Sequence, residues 1–305
     1  MFQTLPGFRA FYPDDCALRN HLFNRWRDVA VRHGFREFDG PVLEPVELLT
    51  AKSGDEIVNQ LFHFEDKGGR AVTLRPELTP TLARMVAAKA GSLKRPVKWF
   101  NIGEHYRYEK QQKGRLRAFY QLNCDCLGEA GPAADAEVIA LLINALRIFG
   151  LNDNHFVLRL SDRNLWLALL ESRGITGDTA TAALSIIDKL ERTSPEASTQ
   201  QLQALNIAEP AALLETIQAT AALNDLGDIE AAFTGNDNAM ARIGVLREIT
   251  SRLEAMGLGT YLRVDLGIVR GLAYYTGIVF EAFQTIGKGR ALAGGGRYDT
   301  LLEKL

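Results

Sequence analysis

Two long extended runs joined by a short polar loop constrain this fold more than any other part of the sequence. The runs are VKWFNIGEHYRYE, at 97–109, and RAFYQLNCDCLG, at 117–128, with KQQKG between them. This pattern predicts an antiparallel β-hairpin whose side chains alternate between two faces. A chain with such a hairpin is predicted to build an antiparallel sheet and to cover it with helices.

The other segments supply those helices and further strands. Apolar residues at helical spacing predict a helix over residues 14–33 that ends at Gly34. LFHFED and AVTLRPE around KGG predict a second hairpin, and FREFDGPVLEPVELL predicts extended chain that leads into a short helix. Further helices are predicted over 79–90 and 133–150. The fold class is therefore α+β, with an antiparallel sheet flanked by helices.

The character of the chain changes after residue 177. Residues 178–255 are rich in Ala, Leu, Glu and Thr and carry almost no strand signal, which predicts a helical insertion. Strand patterns return at YLRVDLGIV and GIVFEAF. We therefore predict three segments: a first part of the core domain over 1–177, the insertion over 178–255, and a second part of the core over 256–305.

Composition excludes several classes of protein. The 305 residues carry a formal net charge of -2, so a polyanion must bind at a local cluster rather than in a global positive field. The three cysteines form neither a disulfide framework nor the spacing of a metal site, and we expect no protein-bound metal. No apolar run approaches the ~20 residues that span a bilayer. We predict a cytoplasmic protein without membrane contact.

A local positive cluster lies in the first hairpin. Five basic residues occur in one short run: Arg107, Lys110, Lys113, Arg115 and Arg117. Arginine suits phosphate because its guanidinium group is planar and permanently charged. Because side chains alternate, Arg107 and Glu109 share a face, and Phe119 could stack on a purine beside Arg107. The alternative interpretation is a solvated hairpin tip, where Lys and Arg are common.

Two further segments place polar groups at unusual positions. In LRPELTPTLAR, Glu77 and Thr79 lie where a strand meets a helix start, and their side chains could hold an ammonium group. The alternative for Thr79 is a helix cap. In VRGLAYYTGIVFE, Arg270 precedes Tyr274 and Tyr275, for which core packing is the alternative.

A glycine-rich stretch, AGGGRYD at 293–299, occurs near the end of the sequence. It matches neither the dinucleotide fingerprint nor the phosphate-binding P-loop. We interpret it as a glycine turn that allows close backbone approach.

Taken together, these segments resemble the class II aminoacyl-tRNA synthetases, and within them the histidyl-tRNA synthetase family. FREFDGPVLEPVELL resembles the family's first signature motif, at its dimer interface, and YRYEKQQKGRLRAFYQLNCDCLG resembles the second. VRGLAYYTGIVFE and AGGGRYD resemble its two histidine-specific segments. The resemblance covers nearly the whole chain. It implies a six-stranded antiparallel sheet flanked by helices, a helical insertion and a homodimer.

The resemblance also implies an activity, the activation of L-histidine with ATP and Mg²⁺ to histidyl-adenylate and its transfer to tRNA(His). The implied ATP-binding residues are Arg107, Glu109, Arg115 and Phe119. The implied histidine-binding residues are Glu77, Leu78, Thr79, Arg107, Gln121, Asp125, Arg270, Tyr274 and Tyr275. Arg107 and Arg270 are the implied catalytic residues. Such a reaction needs no nucleophile from the protein, only positioning and preorganised positive charge.

The implied roles divide the substrate between these residues. Gln121, with Glu77 and Thr79, would hold the α-amino group of histidine. Asp125 and Tyr275 would bind the two imidazole nitrogens, with Tyr274 beside them. Arg107 would contact the α-phosphate and the carboxylate, and Glu109 the adenine side. Arg115 would contact the distal phosphates, Phe119 would stack on adenine, and Arg270 would stabilise charge during attack on the α-phosphate.

The sequence departs from the family pattern at several positions. Asp125 stands where many members have Glu, and Ala273 stands where Asp is usual. RPELTP replaces the commoner RPEGTA. The sequence also ends at Leu305, before a third signature motif and an anticodon-binding domain, so we expect weak or absent activity if the chain is a truncated piece.

Two other functions fit part of this pattern. The synthetase-like regulatory subunit of ATP phosphoribosyltransferase binds histidine and performs no aminoacylation, and the short chain would suit it. Against it stand Arg270 and the complete series from Arg107 to Gln121, which a regulatory site would not require. A nucleic-acid-binding module without catalysis would be favoured only if the basic hairpin stood alone, and the net charge opposes it.

Overall fold

The computed structural model describes residues 2–50, 58–110, 114–270, 274–287 and 291–301. The chain forms two compact units. The first comprises Met1–Ala130, Leu272–Tyr274 and Thr300–Leu305. The second comprises Gly131–Gly271 and Tyr275–Asp299.

Three helices and six strands are described in the first unit. In chain order they are α1 (Pro13–Arg32), β1 (Arg36–Glu37), β2 (Leu43–Pro45), α2 (Val46–Thr50), β3 (Phe62–Glu65), β4 (Ala71–Leu74), α3 (Thr79–Ala87), β5 (Val97–Tyr106) and β6 (Ala118–Leu127). One sheet has the order β1-β5-β6 and the other β2-β4-β3. Strands β5 and β6 pair antiparallel along their whole length, from Val97 opposite Leu127 to Tyr106 opposite Ala118. The predicted long hairpin is confirmed.

The first helix illustrates how local chemistry sets these elements. Helix α1 begins with Pro13, whose fixed φ suits the first helical position. The carboxylate of Asp15 accepts a 3.3 Å hydrogen bond from the backbone N–H of Tyr12 and so satisfies a free donor at the helix start. Gly34, at φ +77°, ends the helix with the left-handed residue that glycine best provides.

The second unit contains seven described α-helices, two short 3-10 helices (Leu190–Arg192 and Gly259–Tyr261) and a four-stranded sheet. The helices are α4 (Pro132–Arg147), α5 (Arg163–Ser172), α6 (Gly177–Ile187), α7 (Pro195–Ala204), α8 (Pro210–Ala221), α9 (Leu226–Ala232) and α10 (Asp237–Ala255). The strands are β7 (Phe156–Asp162), β8 (Leu262–Val264), β9 (Ile278–Gln284) and β10 (Ala291–Gly296). Their order is β10-β9-β7-β8. The run of helices from α6 to α10 confirms that residues 178–255 are helical.

One continuous apolar core holds the second unit together. Side chains from the helices and the sheet, among them Ile139, Leu158, Ile249 and Ile278, are completely buried in it. Trp166 is 1% exposed, and its indole Nε1–H donates a 2.8 Å hydrogen bond to the carbonyl of Leu266. A buried indole therefore keeps its polar group satisfied.

The α+β class is confirmed, but the strand pairing differs in two ways from the single six-stranded antiparallel sheet. The described strands hydrogen-bond in three sheets, and two of the pairings, β1 with β5 and β7 with β8, are parallel. In both cases the partners are far apart in sequence, and parallel strands require such long crossovers. The division at residues 177 and 255 stays a prediction.

The glycine-rich stretch also differs from the turn that was predicted for it. Residues 291–296 form strand β10, paired antiparallel with β9, and not a turn. Close approach, the other part of the prediction, is present: a Cβ on Gly295 would lie 2.6 Å from the ring of Phe280. None of the helices described is long and apolar enough to cross a membrane.

Candidate active site

The β5–β6 hairpin presents one row of predicted site residues. The register places Gly103 opposite Gln121 and His105 opposite Phe119. Because side chains alternate along a strand, Phe119, Gln121 and Asp125 lie on one face of β6. The strand pairing is thus compatible with a site on this face, and the roles of these residues stay a prediction.

Arg107 joins this hairpin to the segment that contains Glu77. Its Nε–H donates a 3.0 Å hydrogen bond to the carbonyl of Pro76, and its guanidinium carbon lies 5.5 Å from the centre of the Phe119 ring. The backbone N–H of Arg107 donates to the carbonyl of Arg117 at 2.9 Å, which continues the ladder beyond the strand end. The basic hairpin and the segment that contains Glu77 are thus in direct contact. The sequence only suggested that they were related.

Glu77 is buried at the bottom of this arrangement and is 5% exposed. The hydroxyl of Tyr274 donates a 2.7 Å hydrogen bond to its Oε2. Both residues belong to the first unit. An ionised carboxylate has about four acceptor positions, so Glu77 can accept from an ammonium group as well as from this phenol.

The start of helix α3 differs from a simple Thr79 cap. Leu78 occupies the cap position without a side-chain cap bond, Thr79 is the first helical residue, and Pro80 is the second. Leu78 is 2% exposed, so its side chain belongs to the core and only its backbone could face a ligand. The alternative that Thr79 is a cap is excluded.

The tip of the hairpin carries an ion pair between two predicted ATP-binding residues. Nη1 of Arg115 lies 2.7 Å from Oε2 of Glu109, and the Arg115 side chain is 48% exposed. The Glu109 side chain is only 12% exposed, so solvent screens this pair from the Arg115 side alone. Arg115 is therefore the more accessible of the two side chains to a polar ligand. Lys113 and Ala273 lie outside the described residues.

Sequence reasoning missed a buried histidine under the aromatic platform. His105 has no exposed surface, its ring stacks on that of Phe119 with 6.1 Å between centroids, and its Nδ1 lies 3.0 Å from the carbonyl of Gly103. Burial, followed by the positive charges of Arg75 and Arg107, lowers the pKa of His105 to about 3. The imidazole is therefore neutral at physiological pH and supports the Phe119 ring.

Arg75 is a second residue that the sequence did not single out. It is 3% exposed, its Nη1 donates to Oδ1 of Asp39 at 2.9 Å, and its Nε donates to the carbonyl of Glu104 at 3.0 Å. A Cβ on Gly103 would lie 2.5 Å from its Nη2. Arg75 thus packs flat against the hairpin and fixes its position. The sequence did contain a signal for Arg75, because it is a charged residue directly after an apolar strand.

The second unit holds Arg270 and Tyr275. The Arg270 guanidinium carbon lies 5.7 Å from the centre of the Tyr275 ring, and its Nη1 lies 3.3 Å from the carbonyl of Phe280 and 3.5 Å from Oε1 of Glu281. A Cβ on Gly294 would lie 1.8 Å from Nη1 of Arg270. It would also lie 2.7 Å from the backbone carbonyl oxygen of Phe280, which cannot move aside as a side chain can, so glycine is required for space.

Arg297, in the glycine-rich segment, has a structural role. It pairs with the buried carboxylate of Asp135, at 3.1 Å from Nε to Oδ1 and 2.6 Å from Nη2 to Oδ2. Burial raises the pKa of Asp135, although Arg297 opposes this shift. A fork-to-fork pair of this kind anchors the end of β10 to helix α4.

Known proteins resemble this chain over its whole length. The chain matches the family described as Histidyl-tRNA synthetase along residues 7–305. It is 53% identical to the histidine--tRNA ligase of Opitutus terrae and 41% identical to that of Halobacterium salinarum, and in each case all of this chain aligns with 70% of the relative.

A solved structure agrees. A Bacillus halodurans protein described as an ATP phosphoribosyltransferase regulatory subunit/histidyl-tRNA synthetase superposes with a TM-score of 0.84 at 26% identity, covering 100% of this chain and 78% of that protein. The fold is that of a class II aminoacyl-tRNA synthetase. More narrowly, the chain belongs to the histidyl-tRNA synthetase family.

Proposed function

We propose that this chain carries the histidine-activating site of a histidine--tRNA ligase. The observation that carries the proposal is the contact of Arg107 with the Pro76 carbonyl and the Phe119 ring, which brings the Glu77 segment against the basic hairpin. Family membership and the 53% identity to a histidine--tRNA ligase support the same activity.

The reaction needs positioning more than it needs proton transfer. A carboxylate oxygen of histidine attacks the α-phosphorus of MgATP, the bond to the β-phosphate oxygen breaks, and pyrophosphate leaves. In the second step a terminal ribose hydroxyl of tRNA(His) attacks the adenylate carbonyl, and AMP leaves. Arg107 neutralises charge at the α-phosphate, Arg115 holds the distal phosphates, and Phe119 stacks on adenine with Glu109 beside it.

Recognition of histidine is divided between its two polar ends. Glu77, with Gln121 and Thr79, holds the ammonium group, and the Tyr274 hydroxyl that donates to Glu77 supports this assignment. Asp125 and Tyr275 bind the imidazole, whose two nitrogens both need partners. An amino acid without that ring leaves these groups unpaired, and such a loss gives strong discrimination.

Arg270 is the second catalytic residue of the proposal. Its guanidinium group is only partly exposed and already has a partner carboxylate in Glu281, 3.5 Å away. Burial raises the pKa of Glu281, and the positive charge of Arg270 opposes that shift. An arginine guanidinium group is permanently charged. Arg270 therefore keeps positive charge available for a developing negative charge on phosphate.

The decisive experiment is histidine-dependent exchange of labelled pyrophosphate into ATP. If this sequence is a piece of a longer protein, the assay uses the parent-length protein. There we expect exchange with L-histidine and none with other amino acids or without an amino acid. Tight histidine binding without exchange would instead support the regulatory function of ATP phosphoribosyltransferase. That alternative has less support, because both relatives named above are described as ligases.

The remaining assignments are parts of the same proposal. The protein works as a homodimer in the cytoplasm, with tRNA(His) as its macromolecular partner. Support for the dimer comes from the segment around β2, where Val42 is 41% and Leu43 is 43% exposed. Strand β2 also lies at an edge of its sheet, where unpaired backbone groups can receive a second chain.

A further inference from the structure

Arg270 has a backbone conformation that its side chain disfavours. Its φ is +56°, in the left-handed region, which residues with a Cβ occupy at a cost. Residues of this kind persist where the surrounding structure holds them, and they cluster at functional sites. The question is which groups of this protein hold Arg270 there.

Both backbone polar groups of Arg270 have identified partners. Nη1 of Arg163 donates a 3.1 Å hydrogen bond to the carbonyl of Arg270. The carboxylate of Asp188, just after helix α6, accepts a hydrogen bond from the backbone of Arg270. A residue with its carbonyl and its amide both engaged has little freedom to relax to negative φ.

Arg163 is itself fixed in place. It is 7% exposed and is the first residue of helix α5, where the preceding Asp162 caps the helix by accepting from the N–H of Asn164 at 2.8 Å. The backbone N–H of Arg163 donates a 3.0 Å hydrogen bond to the carbonyl of Gly277. One residue therefore holds two points of the same segment, position 270 by its side chain and position 277 by its backbone.

We propose that Arg163 is a positioning residue, which fixes the backbone of Arg270 and thereby aims its guanidinium group. This inference rests on the proposed function, in which Arg270 stabilises charge at the α-phosphate. The Arg270 side chain reaches β9, where its Nη1 lies 3.3 Å from the carbonyl of Phe280 and 3.5 Å from Oε1 of Glu281. A displacement near 1 Å at a catalytic group can reduce a rate about 100-fold.

The test is a double-mutant cycle between Arg163 and Arg270. Arg163→Met removes the donor and keeps the length of the side chain, whereas its backbone bond to Gly277 remains. We expect kcat for pyrophosphate exchange to fall about 10- to 100-fold, with the KM for histidine changed less than threefold, and we expect Arg163→Lys to recover part of kcat. In the Arg270→Ala background, Arg163→Met should have no further effect on kcat, because the guanidinium group through which Arg163 acts is absent.

A purely structural role would give a different result. The control is Arg159→Met, which removes another partly buried arginine of the same unit, paired at 2.6 Å with Asp265. If Arg163→Met lowers kcat no more than this control does, or lowers it equally in the Arg270→Ala background, the proposal is wrong. Each rate is divided by the folded fraction of the variant, which urea unfolding measures.

A second measurement does not depend on activity. In a crystal structure of the Arg163→Met chain, we expect Arg270 to leave positive φ and its guanidinium group to move away from the Phe280 carbonyl. An unchanged Arg270 would overturn the inference even if the wild-type protein performs exchange. Absence of exchange in the wild type would count against the proposed function alone, since the crystal structure would still decide the role of Arg163.

Discussion

The hydroxyl of Tyr274 donates a 2.7 Å hydrogen bond to Oε2 of Glu77, across 197 positions of the sequence. Glu77 is 5% exposed, so this bond forms away from bulk water. A hydrogen bond to a charged group contributes about 1.5–3 kcal/mol. The pair links the segment predicted to hold the ammonium group with one predicted to hold the imidazole.

Tyr274→Phe tests that pair. The variant keeps the ring and removes the donor, so the Glu77 carboxylate loses its orientation and we expect histidine to bind roughly ten- to hundredfold more weakly. Isothermal calorimetry gives the affinity. Tyr12→Phe, at an exposed tyrosine of the same unit, is the matched control. An affinity equal to that of the wild type would exclude Tyr274 from the ligand site.

Asp125→Ala tests recognition of the imidazole. Removal of this carboxylate leaves one ring nitrogen without a partner, and we expect histidine affinity to fall at least tenfold. The affinity for ATP should stay within about twofold, because no phosphate contact is lost. Calorimetry with each ligand separates the two effects, and unchanged histidine affinity would remove Asp125 from the site.

Arg270→Ala tests the second catalytic arginine. Loss of one preorganised donor to a developing charge commonly costs about 10²–10³-fold in rate, whereas ground-state binding of histidine should change little. Pyrophosphate exchange measures the rate, and calorimetry measures the binding. Arg263→Ala is the control, since Arg263 is an exposed arginine of the same unit. A variant that loses stability but keeps its exchange rate per folded molecule would show Arg270 to be structural.

His105 predicts a specific dependence of stability on pH. Its pKa is about 3 in the folded protein, below the ordinary value of 6.5, because of burial and of the nearby Arg75 and Arg107. The unfolded chain therefore binds a proton between these two values while the folded chain does not, and His105 lowers the free energy of unfolding as pH falls below about 6.5. The slope is at most about 1.4 kcal/mol per pH unit.

His105→Met removes that proton uptake. We expect the free energy of unfolding of the variant to fall less steeply than that of the wild type between pH 6.5 and pH 4.5. The difference between the two slopes corresponds to the uptake of up to one proton per molecule on unfolding. Urea unfolding at a series of pH values measures this slope. His21→Met, at an exposed histidine, is the matched control variant. Parallel curves for the wild type and His105→Met would show that His105 titrates normally.

The proposed dimer predicts a monomeric variant. Leu43, on the edge strand β2, is 43% exposed, and a charge there would be buried without a partner if a second chain covers it. Leu43→Lys should shift the protein from dimer to monomer in analytical ultracentrifugation at micromolar concentration. Leu18→Lys, on an exposed part of α1, is the control. A wild-type monomer would contradict the proposal directly.

Much of the fold could be predicted because its signals are local. The spacing of apolar residues defined α1 within one residue of its observed start, and the alternation around KQQKG defined the β5–β6 hairpin. The order of four motifs was enough to identify the family. The prediction of a turn for the glycine-rich segment was wrong, because three consecutive glycines suit both a turn and a strand that large side chains approach closely.

Candidate site residues could be proposed from the sequence, but their partners could not. Arg115 pairs with Glu109 only six positions away, although the family resemblance assigns the two residues to different parts of ATP. His105 gave no signal, because nothing near it in sequence indicates that its imidazole would be fully buried under Phe119. The burial of a polar side chain depends on all the elements that pack around it.

The sequence by itself determined the helices, the hairpins and the family, since periodicity and motif order are properties of neighbouring residues. Only the tertiary structure decided which groups meet over long separations. Arg163 reaches the carbonyl of Arg270 across 107 positions, and Tyr274 reaches Glu77 across 197. Such bonds require a donor and an acceptor from distant parts of the chain to be held about 3 Å apart, and packing of the whole core, rather than any local pattern, sets that distance.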